Sequence, residues 1–157
     1  MIAFEPITNT FKRLLENVAL NNFENVECNR AAIDSKNGEI ILRFGKKSAY
    51  ATAHSVHIGG GEQTIETAPC FTLERIFTDC RINRINLLKV DCEGSEYGIF
   101  ETLSSDTAAR IDQIAMEVHQ VEGASADHLK GKLAMLGFSV HTGPIWTAFN
   151  TAAKCPS

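Results

Sequence analysis

Several features that would announce a function are missing from this chain. No stretch stays apolar for the roughly 20 residues that a membrane-spanning helix requires. The opening Met-Ile-Ala-Phe has neither the length nor the basic flank of a signal peptide, so the expectation is a cytoplasmic protein without a membrane partner. Positive charge is scarce, with 15 Lys and Arg against 19 Asp and Glu and a net charge of −4. A nucleic-acid-binding face would be basic, so no nucleic-acid partner is expected, and the pair Lys46-Lys47 reads as a solvated turn. The five cysteines are odd in number and contain no Cys-x-x-Cys pair, which argues against both a disulfide framework and a zinc site. Internal repeats and low-complexity tracts are absent too.

What is present fits one globular domain over residues 1–157. Hydrophobic residues make up 44% of the chain and charged residues 22%, enough apolar material for one core and too little length for two. Ile2 to Phe4 reads as the end of a buried strand that meets Glu5-Pro6. Asn9 or Thr10 then caps a helix with an apolar stripe at Phe11, Leu14, Leu15, Val18 and Ala19, closed by Asn21-Asn22. Asn25 to Ile33 resembles a second strand and Asp34 to Gly38 a turn. Glu39 to Phe44 and Ser48 to His57 suggest a hairpin. Gly59-Gly60-Gly61 reads as a flexible loop rather than a phosphate cradle, because the extended "EQTIETAP" follows it instead of a helix.

Further on, Thr72 caps a short helix through Leu73, Ile76 and Phe77. Ile85 to Val90 is nearly continuously apolar, the pattern of a parallel strand covered on both faces. Lys89 interrupts it, and is expected to reach past the strand end or pair with an acid. A helix begins at Ser95 and is buried through Ile99, Phe100 and Leu103. Ile111 to Val118 is a second central-type strand. A helix from about Ser125 to Leu136 stops at Gly137, and Phe138 to His141 and Ile145 to Phe149 close the chain. Alternating strands and helices predict an α/β fold with a mostly parallel sheet, whose tightly connected last strand runs antiparallel.

In such a sheet, ligands bind outside the carboxyl ends of the strands. Glu5, Asp91 to Glu93, and Glu117 to His119 are all expected on that rim. Carboxylates at a strand end are expensive to bury, so they should face a cleft that uses them. An acidic cleft suits a ligand bearing hydroxyls or positive charge, and a sugar diol suits one carboxylate such as Glu5.

Two segments carry a resemblance to a known family. "IAFEP" followed by "FKRLLENVALNN" looks like the second strand and helix of the FkbM-type methyltransferases. "INLLKVDCEGSEYGIFETL" resembles that family's motif, a hydrophobic strand ending in Lys-x-Asp-x-Glu-Gly-x-Glu, and "CNRAAIDSKNGEIILRF" is similar to its third strand and hairpin. The likeness covers nearly the whole chain. It implies a Rossmann-like class I methyltransferase sheet, S-adenosylmethionine as cofactor, and methylation of a hydroxyl on a sugar or natural product. The family's first strand and Gly-rich turn have no counterpart here, so the sheet is expected to be incomplete at its N-terminal side. The strands ending at Glu5 and Asp91 should then pair directly, receive a strand from another chain, or belong to a longer protein. The chain as it stands is expected to bind S-adenosylmethionine weakly.

By the same resemblance, Glu5 would bind the cofactor's ribose and Ala31-Ala32 would line its adenine site. Asp91 would face the methionyl end. Glu93 and His119 would sit where the acceptor hydroxyl approaches, with His119 as a general base. Each has a plainer reading: Glu5 as a helix-entry acid, Ala31-Ala32 as strand packing, His119 as a satisfied strand-end histidine. Cys92 reads as a small buried hydrophobe rather than a nucleophile. Glu96 reads as structural, favourable in a helix's first turn. His54, His57, His128 and His141 show no ligand spacing. Two alternatives remain: an inactive fragment or interaction module, and a metal-dependent hydrolase using Asp91, Glu93, Glu117 and His119.

Overall fold

The computed structural model of the chain describes residues 1–45 and 63–152. Lys46-Lys47, the expected strand over Ser48 to His57 with its two histidines, the Gly59-Gly60-Gly61 loop and Cys155 lie outside the described residues. Strand β1 is Ile2–Phe4 and helix α1 is Thr8–Leu20. The helix starts earlier than its expected caps, Asn9 or Thr10. Ile7 stands at the N-cap position and offers no side-chain cap. Two carboxylates do this work: Glu5 Oε1 accepts from the Ile7 amide at 2.8 Å, and Glu66 Oε1 from the Thr8 amide at 2.9 Å. Both sit at the positive end of the helix, where its first amides lack partners. Phe11, Leu14 and Val18 are half-buried while Leu15 and Ala19 are exposed, so the contacting face is narrower than the sequence stripe.

The single strand expected over Asn25 to Ile33 is two strands, β2 (Glu27–Asn29) and β3 (Ala32–Ile33). β2 runs parallel to β1, whereas β3 runs parallel to β5 (Gln63–Phe71), so the break at Arg30-Ala31 sends the chain from one sheet to another. β4 (Gly38–Gly45) lies antiparallel to β5, with Gly38 opposite Cys70. β5 is thus central in its sheet although it contains Pro69. The proline is tolerated because the two-residue β3 pairs only with Cys70 and Phe71.

Thr72 caps α2 (Leu73–Asp79) as expected, its side chain accepting from the Arg75 amide. There follow β6 (Ile85–Val90), α3 (Glu96–Thr102), the single turn α4 (Ser105–Ala108), β7 (Ile111–Met116), α5 (Ala126–Met135), β8 (Phe138–His141) and β9 (Trp146–Asn150). Gly137 ends α5 with φ of 93°, a conformation that favours glycine. β6 and β7 are parallel, and β9 enters between β7 and β8, antiparallel to both. The antiparallel last strand is as expected. The core gathers on this sheet: Ile111, Ile114, Met116 and Ala148 from its strands pack with Phe77, Ile99, Phe100, Leu103, Leu129 and Leu133 from the helices.

The architecture is therefore mixed α/β. Two expectations need correction. The strands form three hydrogen-bonded sheets of two, three and four strands rather than one, and among the described residues three of the six pairings are antiparallel. Direct pairing of β1 with β6, one of the three arrangements considered, is not formed among the described residues, since β1 bonds to β2 and β6 to β7. In addition, β6 is not covered on both faces: Leu87 is 60% exposed and Lys89 is exposed, and only Val90 is fully buried. Its apolar run reflects one buried face and one open one.

A buried carboxylate joins the three-stranded sheet to α3. Asp34, 7% exposed at the end of β3, accepts from Ser95 Oγ at 3.0 Å. Gly98 on α3 packs against it so closely that a Cβ would lie 2.7 Å from Asp34 Oδ1 and 3.2 Å from Ser35 Cβ. Alanine is the better helix former by about 1 kcal/mol, but overpacking costs about 1–3 kcal/mol. Gly98→Ala is accordingly expected to lower the urea midpoint; a rise would mean that Asp34 is not held against the helix.

Candidate active site

The parallel register of β6 and β7 sets Val90 opposite Met116, so both strands run out on the same rim. The Glu117 amide donates to the Val90 carbonyl at 3.1 Å, which holds the two exits side by side. Asp91 and Glu117 therefore emerge together, as expected. His119 joins them: one ligand atom from each of Asp91, Glu117 and His119 lies within 4.8 Å of the others. The sequence could not give this distance, because the residues lie on different strands. The arrangement has the atoms to hold a divalent cation, although such acidic groups also occur at rims without one.

Beyond Asp91 the chain makes a tight reversal. Glu93 has φ of 51° and Gly94 φ of 109°, so a non-glycine residue occupies the left-handed region. That costs about 1–2 kcal/mol, and the turn persists because its surroundings hold it. The chief holder is Glu96, whose side chain is fully buried. Its Oε2 accepts from the Gly94 amide at 2.9 Å, and its Oε1 accepts from the His119 amide at 2.6 Å. The same Oε1 lies 3.2 Å from His119 Nδ1. Tyr97 completes the clamp, its hydroxyl donating to the His119 carbonyl at 2.8 Å.

The sequence reading of Glu96 as a structural acid in the helix's first turn holds, but its full burial and its bonds to Gly94 and His119 were not read. Its signal was available: with Ile99, Phe100 and Leu103 it falls at i, i+3, i+4 and i+7, the buried stripe of the helix. An acid on that stripe must have partners.

On the outer side, His119 Nε2 is 3.4 Å from Glu93 Oε2 and 3.9 Å from Glu117 Oε1. Burial raises the pKa of Glu93; His119 opposes the rise, while Asp91, Glu117 and Glu96 add to it. Lys89 Nζ pairs with Asp91 at 2.9 Å, one of the two roles expected of it. Burial likewise pushes the Cys92 thiol far up, reinforced by Glu96, to which its Sγ donates at 3.7 Å. A thiol so placed is a poor nucleophile.

The remaining predicted residues lie elsewhere in the fold. Glu5 is half-buried at the start of α1, its pKa raised first by burial and further by Glu66, with the Ile7 amide opposing. Arg30 Nη1 approaches Glu66 at 3.2 Å, so Glu5 belongs to a cluster of its own. Ala31 and Ala32, 2% and 7% exposed, are buried by the protein itself. Among the other histidines, His128 Nε2 meets Glu101 Oε2 at 3.0 Å on the exposed face of α5, and His141 packs edge-on against Phe149.

Two outcomes follow. Native protein treated with iodoacetamide at pH 8 should leave Cys92 unmodified, with modification appearing in denaturant; rapid native labelling by mass spectrometry would contradict its burial. Glu93→Gln removes a carboxylate that the fold prefers protonated. A raised folded-state pKa means that the native state binds the proton more tightly than the unfolded chain, so the ionised group destabilises at neutral pH. The variant should melt higher than wild type at pH 7, and the difference should shrink as the pH falls through the raised pKa of Glu93 and wild type takes up its proton. A gain independent of pH would assign the effect elsewhere.

Comparison with known proteins agrees with the resemblance read from the motifs. A protein named Methyltransferase 1 from Beauveria bassiana (strain ARSEF 2860) is 25% identical over 157 aligned residues, covering 89% of this chain. The chain spans 63% of the length of that relative. No solved structure matches it. Residues 1–140 match the family model of the methyltransferase FkbM domain, and the chain belongs to that family.

Proposed function

We propose that this domain catalyses methyl transfer from S-adenosylmethionine to a hydroxyl group on a sugar or natural product, within a Rossmann-like class I arrangement of its strands. The observation that carries the reading is the meeting of Asp91, Glu117 and His119 at the carboxyl ends of two parallel strands, beside the strained turn at Glu93-Gly94. The donor set fits the cofactor in charge, because a cationic ligand is favoured by a carboxylate-rich rim. S-adenosylmethionine supplies a methyl group on positively charged sulfur, which leaves as a neutral thioether on in-line displacement.

The chain's own groups supply position and proton transfer. Asp91 would face the positive end of the cofactor and Glu5 would accept hydrogen bonds from its ribose hydroxyls, whereas Ala31-Ala32, buried by the protein itself, fit strand packing better than an adenine wall. His119 Nε2 takes the acceptor's hydroxyl proton as the new carbon–oxygen bond forms, and Glu93 orients that hydroxyl. Positioning accounts for much of the acceleration in such a displacement, and proton removal adds typically 10²–10⁴-fold. Among the described residues β1 bonds only to β2 and β6 only to β7, so a further strand, whether from a second copy or from a segment before Met1, would complete the sheet behind the cofactor.

A second reading, a metal-dependent hydrolase, draws support from the same three ligand atoms. Calorimetry separates the two. Binding of S-adenosylmethionine without added metal, weakened in Glu5→Ala by the 1.5–3 kcal/mol typical of a hydrogen bond to a charged group, supports methyl transfer. Binding of Mn²⁺ with no response to S-adenosylmethionine supports the hydrolase. His119→Ala should bind S-adenosylmethionine with nearly wild-type affinity, since its place is on the acceptor side; loss of cofactor affinity in that variant would remove it from the acceptor side.

A further inference from the structure

We propose that Glu96 is a positioning residue that keeps the proton of neutral His119 on Nδ1, so that Nε2 presents its lone pair to the rim. The role in proton transfer rests on the reading of His119 as the base, but the tautomer follows from the hydrogen bonds alone. Glu96 Oε1 accepts from the His119 amide at 2.6 Å, and a backbone amide can only donate. In the ionised carboxylate that oxygen can only accept, so the ring nitrogen 3.2 Å away from it must be the donor. The other oxygen is committed as well, by the Gly94 amide at 2.9 Å and the Cys92 thiol at 3.7 Å. The carboxylate has no freedom to turn and present a donor.

A competing pull exists on the other side of the ring. His119 Nε2 lies 3.4 Å from Glu93 Oε2 and 3.9 Å from Glu117 Oε1, contacts that would favour a proton on Nε2. Asp91 also faces this side, held by Lys89. The Glu96 contact prevails for two reasons. It is shorter, and the Glu96 side chain is 0% exposed, whereas the side chains of Glu93 and Glu117 are 23% and 52% exposed. Water screens the outer carboxylates and leaves the inner one at full strength. The hydrogen bond made by one ring nitrogen sets the state of the other.

The experiment is nitrogen-15 NMR of the histidine rings in residues 1–157, at a pH where His119 is neutral, with His119→Ala to assign its signals. The expected result is at least a tenfold excess of the Nδ1–H tautomer. A predominant Nε2–H form, with Glu93 as its partner, overturns the proposal. Glu96→Leu provides a second arm. It removes the acceptor that faces Nδ1, so the proton should move to Nε2, toward Glu93. A folded Glu96→Leu protein that retains the Nδ1–H tautomer overturns the positioning role, and if that variant does not fold, the wild-type tautomer decides alone. Titration with S-adenosylmethionine keeps the two readings apart: no binding in wild type counts against the proposed methyl transfer and leaves the tautomer result intact.

Discussion

A carboxylate with no access to water governs the rim of this domain. Burying an ionised group without partners is far costlier than any single contact can offset, so Glu96 dictates what surrounds it. Its donors are the Gly94 amide, the His119 amide and the His119 ring. These come from the two stretches of irregular backbone that leave β6 and β7. One side chain thereby ties both strand exits to the first turn of α3. Leaving either amide unpaired would cost about 1–3 kcal/mol, which is comparable to the strain it holds in place at Glu93.

How much of this was legible follows from how far each pattern reaches. Periodicity acts over a few residues, and the helices at Leu73–Asp79, Glu96–Thr102 and Ala126–Met135 were read correctly from their apolar spacing, the cap at Thr72 and the stop at Gly137. The start of α1 was misread because its caps are not local: one is Glu66, 58 residues away from Thr8. The same limit hid the break between β2 and β3, since the sequence shows extended residues without saying which neighbour each will bond. β6 read as covered on both faces because Leu87 is apolar, yet composition cannot distinguish a buried apolar face from an open one. At the site, the residues Asp91, Glu93 and His119 could be named from the motif, while their spacing depended on the β6–β7 register. Glu96 was legible as a first-turn acid, but its place on the buried stripe was not, because a charge is rarely fully buried.

The electrostatics of the rim point the same way as its geometry. Asp91, Glu93 and Glu117 stand around the imidazole, with Lys89 compensating only Asp91 at close range. The raised pKa of Glu93 expresses that crowding together with its burial. Glu5, Glu66 and Arg30 repeat the pattern at the start of α1, where two acids take one helix amide each and Arg30 pairs with Glu66. Both clusters carry more negative charge than their neighbours neutralise, an arrangement that disfavours the empty protein and favours a cationic or hydroxyl-rich ligand.

The support for these rim residues comes from an unexpected direction. A central strand in a parallel sheet is ordinarily held by neighbours on both edges, and residues beyond its end inherit that rigidity. β6 has a bonded neighbour on one edge, β7, and an open face at Leu87 and Lys89. What fixes the turn after it is the helix side: Asp34 bonding Ser95, Gly98 packed against Asp34, and Glu96 reaching back to Gly94. Ile99 and Phe100, buried one turn further on, anchor that helix in the core. The position of Asp91 and Glu93 is therefore determined by α3 and its buried acids more than by the sheet. A ligand or strand arriving at the open side of β6 would meet a site that is already formed.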